Sequence, residues 1–229
     1  MMLVTLLDFP VEERNRLTYW SDVAMMNMNE PGALVKSQQE RFNVLREMSD
    51  HVGQLFSERR KLPPGSNLLS MRAHGASTQD MQPSEFMRTL VLLIVGGNDT
   101  TRNSMTGGLL ALAEHPDEYR KLQQNHFLVH SLVPELIRYV TPVIHMRCTA
   151  VKDVAFGAKQ IRAGDKVVMW YISGNRDPDA IERPNEFIID RERPRQHLAF
   201  GCGIHRYLGS GLRTCSSAFF ERKLWTVFR

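Results

Sequence analysis

A chain of 229 residues that is 42% apolar has the composition of an ordinary globular protein, with room for one domain or two small ones. Its longest purely aliphatic run, Leu90 to Val95, is far too short to span a bilayer, and Met1 to Pro10 carries neither a basic leader nor a small-residue cleavage site. Three cysteines form no paired framework and point to the cytosol, so a cytoplasmic protein is expected. The net charge of +4 does not indicate nucleic acid. Arg213, Arg222, Lys223 and Arg229 against Glu221 put most of the excess in the last residues, and no basic face with interleaved aromatics occurs elsewhere.

The first half is helical in pattern. Pro10-Val-Glu-Glu-Arg opens one helix with acids in its first turn, and Gln38 to Arg60 forms another with apolar residues three and four apart. Lys61-Leu-Pro-Pro-Gly-Ser ends it, and Ala73 to Gln82 reads as a polar loop. A long helix is predicted from about Ser84 to Glu114, stopping before His115-Pro116. Its middle, Leu90 to Gly97, is apolar on every side, as a core helix should be, and at 1.5 Å per residue it would be roughly 45 Å long. A second buried helix is predicted from about Ser131 to Val140, with Pro134 in its first turn. After Thr141-Pro142, β-rich stretches Met146–Val151 and Lys166–Ile172 flank the turn at Arg162-Ala-Gly-Asp165. From Gly174 to Gln196 the chain is polar, proline-punctuated and irregular, a length of loop that marks function. The class is mainly α with a small β part.

Four constellations carry chemistry. Gly96-Gly97-Asn98-Asp99-Thr100-Thr101 lies inside the long helix, where each glycine costs about 1 kcal/mol relative to alanine. Something flat or bulky against the backbone would justify them, and an acid followed by two hydroxyls can relay protons; a plain glycine kink with a solvated turn is the simpler account. Glu135 and Arg138 share a helix face and can pair, a surface bridge unless a third partner such as Arg191 buries it. Arg147, beside His145, can grip a carboxylate or phosphate with its fork, although a solvated strand residue has the same signature. Phe200-Gly201-Cys202-Gly203-Ile204-His205-Arg206-Tyr207-Leu208-Gly209 is a glycine-spaced loop that lets backbone approach a ligand. It is not a dinucleotide fingerprint, since Arg206 stands where the third glycine belongs, and Cys202-x-x-His205 lacks a second pair for zinc.

Together and in this order, the four motifs resemble the cytochrome P-450 family, over nearly the whole chain up to Leu212. Leu7-Asp-Phe-Pro, Thr18-Tyr-Trp-Ser-Asp-Val, the stretch from Val95 to Gly108 and that from Asp165 to Pro178 resemble the bacterial alkane and fatty-acid terminal hydroxylases. The resemblance implies the C-terminal portion of the cytochrome P-450 fold, built on a long central helix, with residues 1–212 as a partial haem-binding monooxygenase domain. It implies haem b as cofactor, held near Gly96, Gly97, Arg147, Phe200, His205 and Gly209, with Arg147 and His205 on its propionates. Asp99 and Thr100 become the oxygen-activating pair, Glu135, Arg138 and Arg191 a structural lock, and Ile94, Gly97, Val143 and Ile144 the walls around an apolar alkyl substrate. Ferredoxin and ferredoxin reductase are the implied redox partners.

One position departs from the pattern. Tyr207 stands where the family has its cysteine iron ligand, and Cys202 lies five residues earlier in the loop. A thiolate pushes electron density that favours O–O cleavage, whereas a phenolate is the catalase-type ligand, harder to form because its pKa is near 10 against about 8.5 for cysteine. The chain as written is therefore expected not to carry out monooxygenation. A tyrosinate-ligated haem protein with peroxide chemistry, and an inactive gene fragment, are the alternatives.

Residues 213–229 form an aberrant tail with no clean apolar stripe. Back-translated with permitted codons and one base restored after Leu212, they yield Ala-Asp-Leu-Gln-Leu-Arg-Val-Leu-Arg-Glu-Glu-Ile-Val-Asp-Arg-Phe, which has helical amphipathic spacing and resembles what the family carries after its ligand loop. Resequencing the gene across codons 200–229 is expected to show one base missing after codon 212 and a cysteine codon at 207. An unbroken frame with a tyrosine codon would make both features genuine.

Overall fold

Ser37 and Glu40 show how the sequence starts its helices. The Ser37 hydroxyl accepts the Glu40 N–H at 3.1 Å, and the Glu40 carboxylate reaches back to the Lys36 N–H at 2.7 Å, so two backbone donors are satisfied at one helix entry. The computed structural model describes every residue except 1–3, 5–6, 77, 79, 204–205 and 207–229, and the chain divides into two units, Met1–Thr101 and Arg102–Arg229. The tail from Arg213 onward lies outside the described residues. The boundary between the units falls inside one long helix.

In the first unit, α1 (Arg14–Met25) follows a 3-10 turn at Val11–Glu13, and α2 spans Gln38–Arg60, the predicted bounds. Arg59 and Arg60 in the last turn of α2 complement its dipole. α3 (Leu68–His74) begins at Asn67, whose side-chain oxygen accepts the Ser70 N–H at 2.7 Å. This short helix takes in the first two residues of the predicted loop. The long helix α4 runs Pro83–Glu114. The unit's core gathers Leu7, Phe9, Leu17, Trp20, Met48, Val52, Leu69, Leu90 and Ile94. Phe9 and Trp20 meet edge to face with ring centroids 6.0 Å apart.

In the second unit, α5 (Pro116–Gln124) opens with proline at its first position, and α6 spans Val129–Val140 after a 3-10 turn at His126–Leu128. α6 therefore starts earlier than the sequence predicts. Asn125 caps the 3-10 turn by accepting the Phe127 N–H at 3.1 Å, and this pushes Pro134 from the first turn into the helix interior. There it has no N–H to give to the carbonyl four residues back. β1 (His145–Thr149) pairs antiparallel with β4 (Lys166–Trp170), and β2 (Val154–Phe156) with β3 (Lys159–Ile161). α7 is one turn, Tyr171–Gly174, and beyond it the described residues form no further helix or strand except an isolated 3-10 position at Gly203. Among the described residues no helix is long and apolar enough to cross a membrane.

The second core joins Ala111 and Leu112 of α4, Leu122 of α5, Leu132, Val133 and Leu136 of α6, and Phe187 and Ile189 of the irregular segment. The α4–α6 approach is so close that it requires glycine. A Cβ on Gly108 would lie 2.1 Å from Leu136 Cδ1, and one on Gly107 would lie 2.8 Å from Val140 Cγ1. Leu136 is itself buried and cannot swing away.

The same substitution should thus have opposite signs at two helical glycines. Gly53 in α2 would place a Cβ 3.9 Å from its nearest neighbour, so Gly53→Ala is expected to stabilise by up to about 1 kcal/mol through helix propensity. Gly108→Ala gains the same propensity but overpacks the core at a cost of about 1–3 kcal/mol, and is expected to destabilise. Urea unfolding of both variants checks this, and a stabilised Gly108→Ala would overturn the packing account.

Candidate functional site

On α4 in the first unit, the Thr100 hydroxyl donates to the Gly96 carbonyl four residues back at 2.7 Å. A hydroxyl has one hydrogen and two lone pairs, so this bond commits the hydrogen and leaves Oγ1 as an acceptor. Gly96, Gly97, Asp99 and Thr100 are all half-buried. Asn98 Nδ2 is buried with no hydrogen-bond partner among the described residues. Ile94, expected beside the substrate, is 1% exposed in the first unit's own core.

In the second unit, Glu135, Arg138 and Arg191 come together. Arg138 grips Glu135 with Nε on Oε2 and Nη2 on Oε1, both at 2.8 Å, and both side chains are fully buried. Arg191 adds Nε to Oε2 at 2.9 Å and Nη2 to Oε1 at 3.3 Å from the irregular segment, and the Ile188 N–H reaches Oε1 at 3.0 Å. Arg138 Nη1 also donates to the carbonyls of Asn175 at 2.8 Å and Pro184 at 2.7 Å, and Nη2 to that of Glu186 at 2.9 Å. Arg191 further bonds the carbonyls of Glu182, Arg183 and Glu186. Helix spacing places the first two members, and the lock then organises backbone that no ladder holds.

Arg147 lies exposed on β1 opposite Val168 and makes no hydrogen bond or ion pair among the described residues. Next to this pair, His145 and Trp170 meet at 4.9 Å between ring centroids. Val143 is half-buried and Ile144 is exposed just before β1. The glycine-spaced loop starts at Phe200, half-buried with its ring 5.6 Å from that of His197. Gly201 and Gly203 take the left-handed backbone conformation, φ +73° and +64°, and a Cβ on Gly203 would meet nothing within 4 Å among the described residues. Cys202 between them is an exposed free thiol. His205, Tyr207 and Gly209 lie outside the described residues.

Two residues that sequence reasoning gave no role are Thr141 and Asn175. Both are buried and both bond to the lock or its neighbours: Asn175 Nδ2 donates to Thr141 Oγ1 at 2.9 Å, and Thr141 Oγ1 donates to the Arg138 carbonyl at 2.6 Å. In sequence, an asparagine after Ser-Gly and before Arg-Asp-Pro looks like a solvated turn, so only its burial could have found it.

The chain is similar to known proteins in sequence and in fold. The cytochrome P450 family model matches residues 15–220. The chain is 37% identical to linalool 8-monooxygenase of Pseudomonas putida over 178 residues, which is 77% of this chain and 43% of that protein. Among solved structures it is similar to cytochrome P450-153 from Novosphingobium aromaticivorans, with 41% identity and a TM-score of 0.83 over 97% of this chain and 53% of that one. CYP153D17 from a Sphingomonas species is similar too, with 40% identity and a TM-score of 0.84 over 96% of this chain and 55% of that one. The chain spans about half the length of the curated relatives it matches.

The buried lock makes a sharp prediction. Glu135→Ala leaves Arg138 without a counter-charge in a site closed to water, a loss of roughly 3–5 kcal/mol out of a domain's total of about 5–15 kcal/mol. Circular dichroism during urea unfolding should show the second unit's transition collapse to much lower denaturant. A midpoint close to that of the parent chain would reduce the lock to a surface bridge.

Proposed function

Because the chain belongs to the cytochrome P450 family, we propose that it carries the haem-binding portion of a monooxygenase that hydroxylates an apolar alkyl chain, an alkane or a fatty acid, at its terminal position. The observation that carries the reading is the α4 signature, two adjacent glycines followed by Asp99 and a Thr100 whose hydroxyl is bound to Gly96. Family members bind haem b, and the residues present fit it. Arg147, a cation with no partner among the described residues, stands beside the exposed apolar surface of Val168, with Trp170 farther along the strand, a donor set suited to a flat apolar ligand with anionic edges. The left-handed glycines of the loop suit close approach of such a ligand to the backbone.

Haem, when bound, supplies the redox chemistry that activates dioxygen, with electrons from a ferredoxin and its reductase. Thr100 Oγ1, its hydrogen held by Gly96, accepts a hydrogen bond from a proton-bearing partner and orients it. Asp99, one residue earlier, supplies the carboxylate that passes protons onward. Arg147 would hold an anionic edge of the haem through its fork, and His205, which lies outside the described residues, is the second residue that would hold one. Val143 and Ile144 offer aliphatic surface to the substrate. Ile94, buried in the first core, is better suited to stiffening its own helix.

Tyr207 favours a second reading, a tyrosinate-ligated haem protein, for this chain as it stands. The two readings part in the spectrum of the reduced carbon monoxide adduct, whose main band moves strongly to the red under thiolate ligation. In a full-length chimera where residues 1–212 replace the matching part of a relative, Tyr207→Cys is expected to give the red-shifted band and alkane hydroxylation with ferredoxin and reductase. The Tyr207 parent is expected to give neither. Hydroxylation by the parent chimera, or a Tyr207→Cys chimera with no red-shifted band, would overturn the assignment of the loop.

A further inference from the structure

We infer that Asn175 is a positioning residue that couples the buried Glu135–Arg138–Arg191 lock to the glycine-spaced loop through the Leu198 amide. Asn175 is fully buried immediately after α7, and every polar group it has is engaged. Its N–H donates to the Tyr171 carbonyl at 2.8 Å, and its own carbonyl accepts Arg138 Nη1 at 2.8 Å. Its Oδ1 accepts the Leu198 N–H at 2.6 Å, and its Nδ2 donates to Thr141 Oγ1 at 2.9 Å.

This set admits one orientation of the carboxamide. Turning it over would face an NH2 group against the Leu198 N–H, donor against donor. It would also face an oxygen against Thr141 Oγ1, whose only hydrogen is given to the Arg138 carbonyl at 2.6 Å. The Thr141 mismatch would be buried and the Leu198 mismatch partly so, so the network fixes the side chain as well as being fixed by it. Thr141 holds a left-handed conformation, φ +45°, unusual for a β-branched residue, and its two hydroxyl bonds account for its tolerance there.

Packing points the same way as the hydrogen bonds. Leu198 Cδ1 lies where a Cβ on Gly174 would come within 2.6 Å of it, so the Leu198 side chain seats on the residue next to Asn175 while its N–H is held by Asn175. The Leu198 carbonyl then accepts the Gly201 N–H at 2.7 Å, which starts the left-handed run of Gly201 and Gly203. The loop thereby takes its origin from Asn175, and Asn175 takes its own position from Arg138. The importance of this for holding a haem rests on the proposed function, whereas the mechanical coupling does not.

Amide hydrogen exchange of the full chain, resolved by peptide, tests it with four variants. Asn175→Leu keeps the branched shape and loses both side-chain bonds, and Asn175→Asp keeps the acceptor for Leu198. Thr141→Val removes the hydroxyl, and Thr141→Ser restores it. Exchange at residues 198–203 is expected to rise about tenfold in Asn175→Leu, the loss of one short, partly buried bond, while α6 keeps its protection. Asn175→Asp should stay nearer the parent than Asn175→Leu, and Thr141→Ser nearer than Thr141→Val. Unchanged exchange in the loop, or parallel loss in the loop and α6 with no rescue by Asp or Ser, overturns the coupling. If Asn175→Leu does not fold, the Thr141 pair decides by the same criterion. Titration with haemin, followed at the Soret band, separates the two claims. Failure of the full-length Tyr207→Cys chimera to bind haemin sinks the haem reading and leaves the exchange result to judge Asn175.

Discussion

A guanidinium taken wholly out of water must give all five of its N–H groups to protein acceptors, and Arg138 does so. Two go to the Glu135 carboxylate and three to the carbonyls of Asn175, Pro184 and Glu186. Burying an ion costs several kcal/mol, and the Coulombic return in such a site does little more than offset it. The gain is in selectivity of conformation. Any arrangement of residues 175–186 that moved one of those carbonyls would strand a buried donor on a charged group. A segment with no helix or strand is in this way held to one path by one side chain. Arg191 repeats the device from the other side, giving its fork to Glu135 and to the carbonyls around it.

Apolar anchors interleave with the polar ones. Phe187 and Ile189 enter the second core, while between and beside them the Glu186 carbonyl meets both arginines and the Ile188 N–H meets Glu135. Alternation over four residues is strand-like, yet no partner strand is needed because side chains from helices supply the acceptors and donors. α5 completes the arrangement: Glu118 accepts the Ile189 N–H at 2.9 Å, and Lys121 bonds Asp190 at 3.0 Å and Glu118 at 2.9 Å. These carboxylates raise the Lys121 pKa, the Glu118 bond most of all, with burial opposing. A short polar helix thus has its purpose in holding the irregular segment.

What the sequence made legible follows the strength of local signals. The bounds of α2 coincide with expectation because Ser37-x-x-Glu40 starts it and Lys-Leu-Pro-Pro stops it, both local chemistry. α3 and α5 were not legible, since seven and nine residues are too short for a period to stand out. The start of α6 was misplaced because a proline near a helix start is the usual case, and tertiary burial of Val129 and Leu132 outweighed it. The pairing of Glu135 with Arg138 could be read from spacing, and Arg191 from the motif. Thr141 and Asn175 could not, because their meaning lies in contacts 34 residues apart.

The places where local rules are broken are informative in another way. Two glycines interrupt the apolar stretch of α4 without ending the helix, and the hydroxyl of Thr100 back-bonds to the first of them, an arrangement that costs helix stability. The amide nitrogen of Asn98, next in the chain, is buried without a partner among the described residues. Arg147 likewise has no polar partner among them, on a strand whose five residues are all exposed. Gly107 and Gly108, about three turns farther along α4 than Gly96 and Gly97, are the contrast, because the side chains of Val140 and Leu136 fill the space a Cβ would need and explain both residues by packing alone. A glycine kept for packing is recognised by the neighbour that occupies its place. A buried amide or an exposed arginine that the fold leaves without a partner adds nothing to the stability of its own unit, and that is the kind of group a chain retains when the partner is a ligand.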